Sequence, residues 1–115
     1  MQDFRNVVAW QKAHALVLRL YEQTKSFPRE ETFGLTMQLR RRAVTIAMQI
    51  AEGAGRPGND EFSADLRRAA SGCNELEYLV LLTGDLGYWG AEDRGAFTEQ
   101  VSEVRRIIFG LLRTF

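Results

Sequence analysis

The chain has 115 residues, 45% hydrophobic and 26% charged, with fifteen basic and fifteen acidic side chains and a formal net charge of zero. That length predicts one domain burying roughly two thirds of its unfolded surface, and a neutral monomer is not a dedicated polyanion binder. A single Cys73 excludes an internal disulfide, no apolar run approaches the about 20 residues of a membrane span, and no basic-then-apolar leader precedes the first helical pattern, so a cytoplasmic, non-membrane protein is expected.

Four apolar seams with three-then-four spacing follow in chain order. The first, over residues 7–27, runs through Trp10, Ala13, Val17, Leu20, Thr24 and Phe27, with Asn6 as the expected N-cap and Pro28 as the stop. The second, over 33–54, uses Leu35, Leu39, Ala43, Ile46, Ile50 and Gly53. A third, over 60–87, uses Phe62, Leu66, Ala69, Cys73, Leu76 and Val80, and at about 1.5 Å per residue it is on the order of 40 Å long. The fourth, over 91–113, uses Phe97, Val101, Val104, Ile108 and Leu111 and ends its apolar seam on Phe115. Strand alternation is not sustained anywhere. The links Pro28–Phe33, Gly55–Asn59 and Gly87–Gly90 are short, which makes successive helices antiparallel neighbours. The predicted fold is all-α, a single antiparallel up-down-up-down four-helix bundle over residues 1–115.

Apolar residues exceed one stripe per helix. Met37, Val44 and Met48 lie off the second seam, and Leu79, Leu81 and Leu82 surround the third, a surplus that favours a second partner, an identical subunit, over a merely wide core. Charge is divided between the halves. Residues 1–58 carry nine basic against five acidic side chains, residues 59–115 six against ten, so the halves are complementary within a bundle or between subunits.

No catalytic constellation emerges. His14 is the only histidine and reads as a residue at a packing margin; Cys73 falls on the third seam and reads as buried and inert. Carboxylate-bridged metal sites in bundles need Glu-x-x-His on two helices, and the pattern is missing, so no metal, no cofactor and no enzymatic activity are expected. Glu75 and Glu77 lie roughly 200° apart around a helix, and one of them, or Glu52, is expected to turn inward against an arginine or a backbone group. Gly72 and Gly84, inside the third helix, point to close helix approach. Arg40, Arg41 and Arg42 fan across the second helix, and two readings stay open for them: salt bridges to the acidic half, or phosphate contacts extended by Arg67, Arg68 and Arg56 and concentrated by oligomerisation. The stretch Glu52-Gly53-Ala54-Gly55-Arg56 ends a helix where phosphate loops begin one, and reads as a structural corner in which Glu52 and Arg56 meet at i and i+4.

Trp10-Gln11-Lys12-Ala13, Phe27-Pro28, Phe33-Gly34-Leu35-Thr36, Gln38-Leu39-Arg40-Arg41, Ile50-Ala51-Glu52-Gly53, Gly55-Arg56, Glu61-Phe62, Asn74-Glu75-Leu76-Glu77-Tyr78 and Leu86-Gly87-Tyr88 together resemble the bacterial four-helix bundle family of proteins encoded within intervening sequences of 23S ribosomal RNA genes. The resemblance spans Phe4 to Phe115 and implies a non-enzymatic homo-oligomer, commonly a five-fold ring. A similar family, the accessory protein of diversity-generating retroelements, is a pentameric barrel that binds a reverse transcriptase and nucleic acid through a basic surface, so the resemblance also implies nucleic acid or a nucleic-acid-processing protein as a partner. The chain departs from the family pattern at Thr45, Gln49, Gly58 and Ser71-Gly72. At the third of these, Asn59 or Asp60 is expected to take over capping.

Overall fold

The computed structural model describes residues 1–115 and contains four helices: α1 (Val8–Gln23), α2 (Leu35–Ala54), α3 (Asn59–Asp85) and α4 (Ala91–Leu112), with no strand. They pack into a rod of 43 × 23 × 19 Å, whose long dimension is set by α3. The fold is all-α, as the four seams predict.

The register follows from a few contacts. Gly53 near the end of α2 meets Phe62 near the start of α3, while Ile46, two turns earlier, meets Gly72. Arg40 early in α2 reaches Tyr21 and Thr24 at the end of α1. Gly84 late in α3 lies beneath Arg94 early in α4. The square closes where α1 meets α4, through Arg19 Nη1 donating to Gln100 Oε1 at 2.9 Å and Lys12 pairing with Glu103 at 3.6 Å. Each helix therefore runs against its neighbours, and the α1/α2 side of the rod is opposite the α3/α4 side.

The seams form the core because helical spacing aligns them on one face of each element. Leu39 to Gly53, Phe62 to Val80 and Phe97 to Ile108 are buried at every seam position, joined by Leu16 from α1. Leu20, Ile46, Phe97 and Ile108 are fully enclosed, and burial of each such side chain is worth about 1.5–3 kcal/mol. Leu79 belongs to this core, although the sequence pattern places it in the apolar surplus. Phe115, the last position of the fourth seam, is not buried but 41% exposed, its ring leaning on Phe62 at 5.3 Å.

Helix ends depart from expectation for local reasons. Residues Thr24–Ser26 form a 3₁₀ turn, so α1 stops at Gln23 and not at Phe27. There the Thr24 hydroxyl donates back to the Leu20 carbonyl at 2.8 Å, and Phe27, ahead of Pro28, is extended as a residue preceding proline prefers. Asn6 does not cap α1. Asp3 instead accepts from the Arg5 amide at 3.0 Å to open a 3₁₀ turn over Phe4–Asn6, and Val7 enters α1 without a side-chain cap. Neither Asn59 nor Asp60 is the cap of α3. Gly58 holds that position, and Asp60 and Glu61 occupy the first turn, where the helix dipole favours negative charge. At the other end Gly87, at φ 83°, takes the left-handed conformation. Its amide donates to Gly84 and that of Tyr88 to Thr83, the paired bonds of a Schellman stop.

Candidate functional site

The α2–α3 corner is the most strongly tied polar feature. A side chain at Gly53 would meet Phe62 Cδ1 at 2.7 Å and Asp65 Cβ at 3.0 Å, so the two helices touch there only because Gly53 has none. Asp65 is 1% exposed and is the carboxylate that turns inward. Arg56 Nε donates to its Oδ2 at 3.0 Å and Arg68 Nη1 to its Oδ1 at 2.6 Å, while Arg56 Nη2 also donates to Glu52 Oε1 at 3.0 Å. The hydrogen bond and charge of Asp65, with Glu52 behind them, raise the Arg56 pKa above its ordinary value. The sequence pattern assigns the inward role to Glu52, Glu75 or Glu77: Glu52 and Glu75 keep exposed carboxylates, while Glu77 is half-buried and accepts from Arg105 Nη1 at 2.7 Å. A signal is present in the chain: Asp65 stands three residues after Phe62 and four before Ala69, in register with a buried seam.

The five candidate phosphate-binding arginines separate. Arg40 Nε donates to Thr24 Oγ1 at 2.9 Å and Nη2 to the Tyr21 carbonyl at 3.2 Å, with the guanidinium 4.5 Å over the Tyr21 ring. It closes the frayed end of α1. Arg42 pairs with Glu75 at 3.8 Å across α2 and α3, and Arg68 is committed to Asp65. Arg41 and Arg67 are exposed and have no acidic partner. They do not share a patch. Because Ile46 is level with Gly72, Arg41 is level with about Glu77 of α3, and Arg67 lies about ten residues, or ~15 Å, toward the other end of the rod.

An apolar band runs along the opposite side from α4. Trp10, His14 and Val17 of α1 face Val44, Ala47 and Met48 of α2 across a groove of about 390 Å³. Phe4 meets the Trp10 ring edge-on at 4.8 Å, and the His14 imidazole stacks on it at 4.9 Å, so the lone histidine sits at a packing margin as its isolation implies. The band continues along α1 through Leu18 and Tyr21. Met48 is 63% and Leu18 59% exposed, large values for apolar side chains in so small a bundle. On α3, Tyr78 and Leu81 form a second exposed apolar ridge, 60% and 53% accessible. Leu18 and Tyr21 add to the surplus that the sequence pattern shows only on the second and third helices.

Cys73 is enclosed between helices, and burial pushes its thiol up to about 11, against a partial lowering by Arg105. No three His, Cys, Asp or Glu side chains converge to hold a metal ion. No helix is long and apolar enough to cross a membrane.

The 23S rRNA-intervening sequence protein family model matches residues 5–110. The chain belongs to this family. A crystal structure of a protein of unknown function from the S23 ribosomal protein family of Bacteroides thetaiotaomicron superposes with a TM-score of 0.84, over 92% of this chain and 96% of that one, at 19% identity. At that identity the likeness concerns the fold alone. No curated protein matches the chain. Within the family, Gln49 stands where the resemblance leads one to expect asparagine, and its buried Oε1 has no hydrogen-bond partner.

Proposed function

We propose that this member of the 23S rRNA-intervening sequence protein family is a non-catalytic cytoplasmic scaffold that self-associates into a closed pentameric ring. The observation that carries the reading is the pair of exposed apolar surfaces, Met48 with Leu18 on one side and Tyr78 with Leu81 on another. Contiguous apolar surface of this kind on a bundle of this size marks a contact with another macromolecule. A ring needs two different contact surfaces per chain, because each subunit touches two neighbours through non-equivalent faces. The buried, uncrosslinked Cys73 suits a reducing compartment. Light scattering at micromolar concentration tests the ring: a mass about five times the 13.1 kDa of one chain is expected, and a monomeric mass overturns it.

A second reading, an accessory factor that binds nucleic acid or a nucleic-acid-processing protein, is supported by Arg41 and Arg67. Both are exposed and neither is engaged by an acidic group. Five-fold repetition would turn each into a belt of like charge on an otherwise neutral protein. Arg40, Arg42 and Arg68 would add to it only by giving up the contacts they make within the chain.

A further inference from the structure

We infer that the ring is closed head to tail by the α3 ridge of one copy, carrying Tyr78 and Leu81, seating in the α1/α2 band of the next, carrying Leu18, Val44 and Met48; the inference rests on the ring reading above and names its two faces. Three independent features support this occupant. The first is position. Arg40 of α2 meets Tyr21 of α1, and Ile46 of α2 meets Gly72 of α3, so Tyr78 stands at the height of residue 40 and the ridge is level with the Tyr21 end of the band, while Met48 lies about eight residues, or ~12 Å, further along the rod. The ridge and the band overlap in height at that end and belong to different helices, as a contact between non-equivalent faces of successive copies requires.

The second feature is charge. The half of the chain that bears the band carries nine basic against five acidic side chains, and the half that bears the ridge six against ten. Arg41, without a partner, borders the band, while Glu75 and Asp85 flank the ridge and remain exposed despite their pairings with Arg42 and Arg94. Band against band would oppose Arg41 to Arg41, and ridge against ridge would oppose carboxylates. Band against ridge opposes neither, and brings a free cation toward an acidic rim.

The third is extent. A stable contact buries roughly 800 Å² per partner. That is about an eighth of the 6602 Å² surface of the chain, which one side of a four-sided rod can supply. The groove beside Trp10 alone has the volume of a small-ligand cleft, but the band runs on past it to Leu18 and Tyr21, several helical turns in all. A helix fills a strip of that length, and a small molecule does not.

Complementation of two broken faces tests the assignment. Met48→Glu spoils the band and leaves the ridge; Leu81→Lys spoils the ridge and leaves the band. Each side chain is more than half exposed, so each variant keeps the fold, checked by circular dichroism and a cooperative melt, with Leu18→Glu as a second band variant. Wild-type protein is expected at ring mass, each variant alone at the mass of one chain, and an equimolar mixture of Met48→Glu and Leu81→Lys at twice that mass, since the mixture holds one intact junction. A variant that keeps the wild-type mass, or two monomeric variants that fail to pair on mixing, overturns the assignment while leaving the ring standing. A monomeric wild type overturns the ring itself.

Discussion

Arg56 and Asp65 join the turn after α2 to the first turns of α3: the guanidinium Nε lies 3.0 Å from a carboxylate oxygen that solvent does not reach. The pair is asymmetric, since the side chains of Arg56 and Arg68 are 41% and 60% exposed and that of Asp65 only 2%. Removing the acid leaves two arginines that water can solvate. Removing the arginines leaves a buried charge with nothing to pair it, the costlier state. Asp65→Ala is expected to lose about 1.5–3 kcal/mol in urea denaturation, the range for hydrogen bonds to charged groups. The double variant Arg56→Ala/Arg68→Ala is expected to lose more. The reverse order would show that the arginines, and not the carboxylate, are the members starved of solvent.

Gly72 lies against Ile46 at the α2–α3 crossing, where an added Cβ would stand 2.9 Å from Cγ1 of a fully buried side chain. Alanine there gains about 1 kcal/mol of helix propensity but forces the core apart, and overpacking costs about 1–3 kcal/mol. Gly72→Ala is therefore expected to lower stability on balance. Gly95, in the exposed first turns of α4, has no atom near its missing Cβ, so Gly95→Ala is expected to raise stability by about 0.5–1 kcal/mol. Opposite signs for one substitution, read by chemical denaturation, separate close approach from propensity.

The Cys73 thiol predicts an alkaline weakness. Folding raises its pKa from 9.0 to about 11, chiefly by burial. Below pH 9 both states hold the proton and stability is independent of it. Between about 9 and 11 the unfolded chain releases the proton and the folded chain retains it, so stability falls as pH rises, by at most about 1.4 kcal/mol per pH unit. Tyr88 is raised in the same direction by its hydrogen bond to Glu31, and adds to the decline at higher pH. Cys73→Ala is expected to flatten the stability profile between pH 9 and 10. An aromatic disulfide reagent at pH 8 is expected to react with the native thiol far more slowly than with the unfolded chain.

The bundle is legible in the sequence because a helical seam needs only spacing: Leu39, Ala43, Ile46 and Ile50 specify a buried face whatever they pack against. Polar partnerships need the register between helices, which one sequence does not display. Arg40, Arg41 and Arg42 look equivalent in the chain, yet one lies over the end of α1, one faces solvent and one reaches Glu75. Asp65 shows its seam register in the chain but not its pairing with Arg56, which arrives from a turn nine residues earlier. Thr24 illustrates a local limit. It fits the apolar seam by position, but its hydroxyl bonds back to Leu20 and the helix narrows into a 3₁₀ turn. Leu81 and Leu79 both stand outside the third seam; Leu79 is buried beside α2, whereas Leu81 lies at the edge of the α3–α4 groove and stays more than half exposed.

The division among the arginines allows structure and nucleic-acid binding to be separated by mutation. Arg40→Ala removes two hydrogen bonds that close α1, and is expected to cost about 1–2 kcal/mol of stability. Arg41→Ala disturbs no ion pair or hydrogen bond of its side chain and is expected to change stability by less than about 0.5 kcal/mol. If the surface of the assembly binds phosphates, the free side chains carry that binding. Arg41→Ala and Arg67→Ala should then weaken binding of a short single-stranded RNA and make the logarithm of affinity less steep in the logarithm of salt, by about 0.7 for each phosphate that is no longer neutralised. Arg40→Ala, assayed well below its melting temperature, should leave that slope unchanged, because its guanidinium is occupied by Thr24 and Tyr21. Equal slopes for Arg40→Ala and Arg41→Ala would mean that Arg40 swings away from α1 to reach the backbone. Unshifted RNA at low salt with the wild-type assembly would remove the nucleic-acid reading and leave the scaffold.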